Sequence, residues 1–146
     1  MIRFRHLLRG CAAVLLLPAA LATPLHAASL TVAVTGVRNG SGHVRIGVCT
    51  QSQFLGERCS YHAIVTSRQG TVTVTIPGIQ PGAYAIAAYQ DETDVGHLRR
   101  GLFGIPKDGT GFSRNPFPGM GPPSFQSCAL SIGHRDAAIS IALHYF

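Results

Sequence analysis

The feature that most constrains the fold is an alternation of apolar and polar residues that begins near Ser29 and recurs along the chain. In "SLTVAVTGV", Leu30, Val32 and Val34 lie on one side and threonines lie on the other. A period of two residues is that of a β-strand with one buried face. No segment has the apolar spacing of an amphipathic helix. The sequence therefore predicts an all-β protein.

About seven such strands are separated by turns rich in glycine and proline. The stretch "RNGSG" predicts a hairpin turn after the first strand, and "GHRD" predicts a hairpin between the last two. Short strands with such turns are typical of an antiparallel two-sheet sandwich with Greek-key links, of the immunoglobulin-like or prealbumin-like kind. Tyr84 follows a proline–glycine turn by two residues, which predicts a tyrosine corner: the ring in the core and the hydroxyl bonded to the turn backbone.

The N-terminal residues have the composition of a secretory signal peptide, residues 1–27. Three arginines precede a short apolar run that ends in small residues, and we expect cleavage after Ala27 or Ala28. The exported chain, residues 28–146, has the size of one β-sandwich domain. We expect this domain to lie in the periplasm or outside the cell. No later apolar run has the length of a membrane span.

The charge of the exported part argues against a nucleic-acid partner. Removing the three N-terminal arginines lowers the formal net charge from +6 to +3, because all six acidic residues lie beyond the cleavage site. The remaining basic residues are scattered, and only Arg99 and Arg100 are adjacent. A nucleic-acid surface needs a concentrated basic patch, so no such partner is expected.

Three cysteines remain in the exported part. Cys49 ends one strand and Cys59 precedes the next, so an oxidising compartment favours a disulfide that closes the loop between them. Closing so short a loop stabilises by about 2–3 kcal/mol. Cys128 is left over, and we interpret it as a buried strand residue that behaves as a small hydrophobe.

A long segment, residues 91–126, separates the fifth strand from the last two. Segments of this length inside a compact domain are usually functional or disordered. This one carries many apolar residues among its glycines and prolines, so we interpret it as an ordered lid loop that folds back on the sandwich. If strand direction alternates, the lid, the 38–42 and 68–70 turns and the C-terminal residues share one end. The disulfide loop then lies at the other end.

Six short motifs follow one another between Pro81 and Phe125. They are "PGAYA", a strand ending in "YQD", "TDVGHL", "GIPKD", "GFS" and "PPSF". In this order they resemble a group of secreted bacterial proteins, the domain of unknown function 2141 (DUF2141). The resemblance covers most of the exported chain and implies no established function.

The start of the lid has an incomplete calcium-loop pattern. Asp91 and Gly96 match a loop of the type D-x-N-x-N-G. Thr93 and Asp94 supply further oxygens, but a valine occupies the next ligand position, and Arg99 stands where the family pattern has a carboxylate. We therefore expect no metal ion here. Instead we expect Arg99 to pair with Asp91 or Asp94 in place of the ion.

The residue spacing gives little support for a transition-metal site or for a hydrolytic site. Three histidines are expected at the lid end, but no H-x-H or H-E-x-x-H spacing indicates a transition-metal site, and no cofactor is expected. A hydrolytic site would combine Ser113 or Ser124 with a histidine and an aspartate. There is no nucleophile elbow, so we interpret both serines as turn residues whose hydroxyls bond the backbone. The three histidines expected at the lid end are His43, His97 and His144.

These observations favour a non-catalytic binding protein whose lid is the interaction surface, because β-sandwiches commonly place recognition on loops held by a rigid frame. The partner would be an envelope protein or a small ligand. The alternatives are a purely structural envelope protein without a ligand and, less favoured, a metal-binding or hydrolytic protein. The lid residues predicted to contact a ligand are Asp91, Arg99, Lys107, Phe112, Arg114 and Phe125.

Overall fold

The structure, a computed structural model, describes residues 27–117, 119 and 121–146, and these contain eight strands, one 3-10 turn and one short helix. The predicted signal peptide lies outside the described residues except for Ala27. The 3-10 turn is Leu102–Gly104 and helix α1 is Phe125–Cys128. The strands are β1 (Ala28–Val37), β2 (His43–Cys49), β3 (Tyr61–Thr66), β4 (Gly70–Ile79), β5 (Gly82–Asp91), β6 (Thr110–Phe112), β7 (Leu130–Ile132) and β8 (Ala137–Ala142).

The strands form two sheets. The smaller sheet has the order β4-β1-β8, and the larger has the order β3-β2-β5-β6, with β7 also paired to β5. This confirms the predicted all-β two-sheet sandwich, with eight described strands instead of about seven. One pair differs from the antiparallel expectation, because β1 and β8 run parallel, with Leu30 opposite Ala137 and Thr35 opposite Ala142. Parallel neighbours need a long connection, and here most of the chain lies between them.

The residues that face inward from both sheets form one hydrophobic core. Val32 and Val34 of β1 and Val44 and Val48 of β2 are fully buried. Burying a side chain of this size contributes about 1.5–3 kcal/mol. The neighbouring Thr31 is partly exposed. The alternation in the sequence is therefore the alternation between the core face and the outer face of each sheet.

Two connections that were predicted to be hairpins join different sheets. β1 belongs to the smaller sheet and β2 to the larger, so "RNGSG" carries the chain from one sheet to the other. Likewise β7 pairs with β5 and β8 pairs with β1, so "GHRD" also changes sheet. Both hairpin predictions are wrong. The alternation within a strand specifies which face is buried, and it does not specify the strand to which the backbone hydrogen-bonds.

The strand register agrees with the predicted grouping of the turns at the two ends of the sandwich, except for the disulfide loop, which is described below. Val37 lies opposite Gly70 in the smaller sheet, and His43 lies opposite Asp91 in the larger. The turns that precede β2 and β4 therefore share one end with the residues that follow β5. The turn before β5 and the 133–136 turn lie at the opposite end.

Two local predictions are confirmed near that opposite end. Tyr84 is buried, and its hydroxyl donates to the carbonyl of Gln80 at 2.9 Å, which is the predicted tyrosine corner. Cys49 and Cys59 form the predicted disulfide. Both features fix turns that connect strands of the sandwich.

Cys128 is free and buried, as predicted, but it ends helix α1 instead of lying in a strand. The hydroxyl of Ser124 accepts a hydrogen bond from the Ser127 N–H, and this cap starts a helical turn there. Burial raises the pKa of the Cys128 thiol, so the thiol stays protonated at neutral pH. Neither helical element among the described residues is long and apolar enough to cross a membrane.

The 91–126 segment is more regular than a lid loop. Its first part stays at one end of the sandwich and includes the 3-10 turn. Thr110–Phe112 then forms β6, which pairs with β5 at residues 87–89, while β7 pairs with β5 at residues 82–84. β6 and β7 therefore lie one after the other along β5 in the larger sheet. Only the part before β6 is positioned like the predicted lid.

Candidate binding groove

Asp91 fixes the start of the loop that follows β5. Its buried carboxylate accepts hydrogen bonds from the Gly96 and Val95 N–H groups at 2.8 and 3.1 Å. A third bond comes from Arg45 Nε at 2.8 Å. Burial alone would raise the pKa of Asp91, but these three bonds outweigh burial and hold the pKa below its ordinary value. Asp91 is therefore a paired, negatively charged residue that closes the 91–96 turn.

Arg99 pairs with Asp108, which corrects the predicted pairing with Asp91 or Asp94. The Arg99 side chain donates from Nε to Asp108 Oδ1 at 2.9 Å, and the Arg99 backbone N–H donates to Oδ2 at 2.8 Å. Asp108 is buried. The prediction failed because Arg45, on the neighbouring strand β2, already neutralises Asp91.

Other polar residues of the calcium-like pattern are also paired or exposed. Asp94 Oδ1 lies 2.6 Å from His43 Nδ1, and Thr93 is exposed. The hydrogen bond from Arg38 holds the pKa of Glu92 below its ordinary value. Among the described residues, no group of three or more histidine, cysteine, aspartate or glutamate side chains is placed to hold a metal ion.

Residues 99–107 form a short projection that we call the finger. Its two sides are joined by backbone hydrogen bonds, from the Gly101 N–H to the Ile105 carbonyl at 2.7 Å and from the Lys107 N–H to the Arg99 carbonyl at 3.0 Å. The 3-10 turn forms the tip. The finger therefore has a defined backbone although it belongs to neither sheet.

Ser113 follows β6 and occupies the part of the β5 edge between β6 and β7. Its buried hydroxyl accepts from the Ile86 N–H at 2.9 Å and donates to the Cys128 carbonyl at 2.6 Å. The hydroxyl thus satisfies two backbone groups, as expected for a turn serine. Because its hydrogen bonds are made to the backbone, the hydroxyl is not arranged as a nucleophile.

The disulfide loop, residues 50–58, folds over the outer face of the larger sheet. Phe54 packs edge-on against Phe112 and Phe125, with ring centroids 6.0 and 5.9 Å apart. Gly47 makes this approach possible, since a Cβ at that position would lie 2.9 Å from Cys59 Sγ. The loop consequently reaches towards the finger instead of projecting from the far end of the sandwich.

An open groove of about 1720 Å³ lies between the disulfide loop and the finger. Ala87 and Tyr89 of β5 form its floor, and residues 115–117 and the C-terminal residues His144 and Phe146 also line it. The groove is larger than the roughly 300–1,000 Å³ of most small-molecule pockets. It therefore has room for a ligand larger than a typical small molecule.

The groove combines exposed aromatic rings with an excess of positive charge. Phe103, Phe117 and Phe146 are 98%, 93% and 67% exposed. Arg58 lies in the disulfide-loop wall and Arg100 in the finger wall, and neither pairs with a carboxylate among the described residues. The described lining includes one acidic side chain, a glutamate of the disulfide loop. These properties suit a partner that is apolar and negatively charged.

Tyr89 supplies a polar group at the floor of the groove. Its hydroxyl has no hydrogen-bond partner among the residues that the structure describes. Burial raises the pKa of Tyr89, although Arg45 opposes this, so the hydroxyl stays protonated and can donate. His97 and His144, both predicted at this end of the sandwich, also line the groove.

A comparison with protein families extends the resemblance read from the motifs. A family model described as "uncharacterized protein conserved in bacteria" (DUF2141) matches residues 32–140, which is most of the chain. The chain belongs to the DUF2141 family. No curated protein and no solved structure matches it.

In this DUF2141 protein, the six residues predicted to contact a ligand do not form one site. Phe112 and Phe125 meet at the disulfide loop, and Phe112 lines the groove. Arg114 lies farther along the same side, where its guanidinium donates to the Gln126 carbonyl at 3.3 Å. Phe112, Arg114 and Phe125 therefore lie on the side of the sandwich that is formed by β6 and the residues after it.

The other three predicted residues lie at the finger end. Asp91 and Arg99 are engaged in the ion pairs with Arg45 and Asp108. Lys107 lies at the base of the finger, where its stem packs close to Gly101. Within this DUF2141 protein, the ion pairs therefore shape the loop that carries the finger.

Sequence reasoning missed the floor of the groove and one of its walls. A usable signal was present in β5, where the outward-facing positions before Tyr89 are all alanine, including Ala83 and Ala87. Small outward residues leave space over a sheet. The position of Arg58 gave no such signal, because it depends on how the disulfide loop folds over Gly47.

Proposed function

We propose that this DUF2141 protein is an exported, non-catalytic binding protein whose groove receives an extended segment of another envelope protein. Export is supported by the N-terminal sequence and by the Cys49–Cys59 disulfide, because disulfides persist in oxidising compartments. A non-catalytic role is supported by Ser113, whose hydroxyl the fold itself uses. In this proposal, residues 28–146 act as one domain that serves as a frame for the groove.

The observation that carries the proposal is the open groove with exposed aromatic rings. Exposed apolar surface rimmed by polar groups is typical of interaction sites. A pocket for a small molecule encloses most of its ligand, whereas this groove stays open beside Phe103 and Phe117, which are almost fully exposed. An extended peptide would cover these rings while keeping its own polar side towards water.

The charges of the groove indicate which kind of peptide it takes. Arg58 and Arg100 stand on opposite walls without carboxylate partners among the described residues. An apolar stretch with an acidic residue on each side would therefore gain charge-assisted hydrogen bonds at both walls. The Tyr89 hydroxyl offers a donor to a backbone carbonyl of the segment. We infer a segment of aromatic or aliphatic residues flanked by aspartate or glutamate.

A fluorescence-anisotropy titration with two sets of synthetic peptides tests the proposal. Both sets share a core of phenylalanine and leucine, and they differ in having glutamate or lysine as flanking residues. The glutamate set should bind the wild-type protein. Ala87→Leu places a larger side chain on the groove floor and should weaken binding by about tenfold or more, which is at least about 1.4 kcal/mol.

Ala83→Leu is the matched control for this titration. Ala83 is an exposed outward-facing residue of the same strand, and it does not line the groove. Its replacement should leave peptide affinity unchanged. Equal binding by the Ala87→Leu variant, or a preference for the lysine set, would contradict the proposal. A small molecule found in the groove by native mass spectrometry would instead favour the small-ligand alternative.

A further inference from the structure

The tip of the finger carries two large apolar side chains that the fold does not bury. Leu102 is 83% exposed and Phe103 is 98% exposed. The finger does not need these side chains for its shape, since its two sides are joined by backbone bonds and by a bridge between Arg100 and Pro106. Exposed apolar pairs of this kind are typical of surfaces that meet a partner.

Phe103 also has an unusual backbone conformation. Its φ of 58° and ψ of 21° lie in the left-handed region, which is unfavourable for a residue with a side chain and natural for glycine. A phenylalanine kept in such a conformation, with its ring in water, stabilises neither the core nor the turn. Backbone strain that has no structural purpose is found mainly at functional sites.

Basic groups flank this apolar tip. Arg100 and Lys107 have no carboxylate partner among the described residues, and the only hydrogen bond of the Arg100 side chain runs to the Gly104 carbonyl at 3.2 Å. Arg99, in contrast, is neutralised by Asp108. An apolar tip beside two unneutralised cations is complementary to an anionic lipid surface, where apolar groups enter the interface and cations meet phosphates.

We propose that the finger docks this protein on an anionic membrane surface, with Leu102 and Phe103 entering the headgroup region. Arg100 and Lys107 remain at the level of the lipid phosphates. Two apolar side chains and two cations make a weak and reversible contact, unlike a membrane-spanning anchor. Arg100 and Phe103 also line the proposed peptide groove, whereas Leu102 and Lys107 do not, so these two residues distinguish docking from peptide binding.

Co-sedimentation with lipid vesicles tests the inference. The protein is purified from an envelope fraction and its N-terminal residue is determined, so that every variant shares the same start. Wild-type protein should bind vesicles of phosphatidylglycerol and phosphatidylcholine better than vesicles of phosphatidylcholine alone. This binding should weaken as salt concentration rises, because salt screens exposed charges.

Substitutions at the tip and beside it separate the contribution of the apolar side chains from that of the cations to vesicle binding. Leu102→Ser with Phe103→Ser should lower partition into the anionic vesicles by about tenfold or more, since two apolar side chains no longer leave water. Arg100→Gln and Lys107→Gln should each lower it by about fivefold. Ile64→Ser is the matched control, because Ile64 is 53% exposed and belongs to β3 instead of the finger, and its partition should not change.

Phe103→Gly separates docking from folding. Glycine adopts the left-handed conformation readily, so this variant should fold and its Tm should not fall. Its partition into anionic vesicles should still drop several-fold. The inference is overturned if the wild type does not bind anionic vesicles, or if Phe103→Gly binds them like the wild type. Leu102→Ser alone should still lower partition into anionic vesicles but keep its affinity for the groove peptides, because Leu102 does not line the groove, so the two proposals can fail separately.

Discussion

Arg45 Nε lies 2.8 Å from Asp91 Oδ2, although the two residues are 46 positions apart in the sequence. The pair joins the middle of β2 to the end of β5. Together with the bonds from Gly96 and Val95, it gives the 91–96 turn a defined shape. The finger follows this turn directly, so the ion pair connects the sandwich to the surfaces proposed for binding.

Removing the cation of this pair should destabilise the fold. Arg45→Gln leaves the buried Asp91 carboxylate with two backbone donors and no positive charge, and we expect a loss of about 2–3 kcal/mol in the free energy of unfolding. Chemical denaturation measures this loss. Arg68→Gln is the control, because Arg68 is exposed and has no carboxylate partner among the described residues, and it should change stability by less than about 0.5 kcal/mol. Similar losses in both variants would argue against a specific role for the Arg45–Asp91 pair.

The lowered pKa values of Asp91 and Glu92 predict how stability depends on pH. A carboxyl whose folded-state pKa lies below its unfolded-state pKa stabilises fully above the unfolded value, which is about 3.9 for aspartate and about 4.3 for glutamate. This stabilisation is lost as the pH falls through the lower folded-state value. The free energy of unfolding should therefore decrease as the pH falls below about 4.5, and less steeply in Asp91→Asn. A variant whose slope matches that of the wild type would contradict this assignment.

Calcium should not stabilise the protein. The Asp91 carboxylate, which would be the first ligand of the calcium-like loop, is already paired with Arg45. The Asp94 carboxylate is bound to His43. Thermal melting with and without millimolar calcium should therefore give Tm values that agree within about 1 °C, because a ligand raises Tm only when it binds the folded state. A rise of several degrees would mean that the ion pairs give way to a metal site.

Ser113→Ala should be destabilising because it removes the hydroxyl between two buried backbone groups. The Ile86 N–H and the Cys128 carbonyl would lose their partner, and we expect a loss of about 2–3 kcal/mol on denaturation. Ser124→Ala removes a helix cap at an exposed position and should cost about 1 kcal/mol or less. If Ser113→Ala were as stable as the wild type but lost a hydrolytic activity, the serine would be a nucleophile instead.

The features that the sequence predicts correctly are those specified by residues close together in the chain. The Tyr84 corner needs only the preceding proline–glycine turn, and the Cys49–Cys59 disulfide spans ten positions. The membership of β2 and β8 in their sheets could not be predicted in the same way. Strand alternation marks a buried face, and the choice of neighbour depends on pairing across long stretches of chain.

The groove was not predictable because its two walls come from separate parts of the sequence. The disulfide loop was expected at the end opposite the lid, but Gly47 lets Cys59 pack on the outer face of the sheet, and the loop turns back towards the finger. The partner of Asp91 was missed for a similar reason, since Arg45 approaches it across the ladder between β2 and β5. Local sequence patterns do not indicate contacts between residues that are far apart in the chain.

Hydrogen exchange of the protein, measured with and without the glutamate-flanked peptide, tests the binding groove most directly. We expect slower exchange in both walls at once, in residues 55–58 of the disulfide loop and in residues 96–106 of the finger region, with no change in β4 on the other sheet. Unchanged exchange in both walls, or slowing confined to β4, would show that the peptide does not bind in the groove.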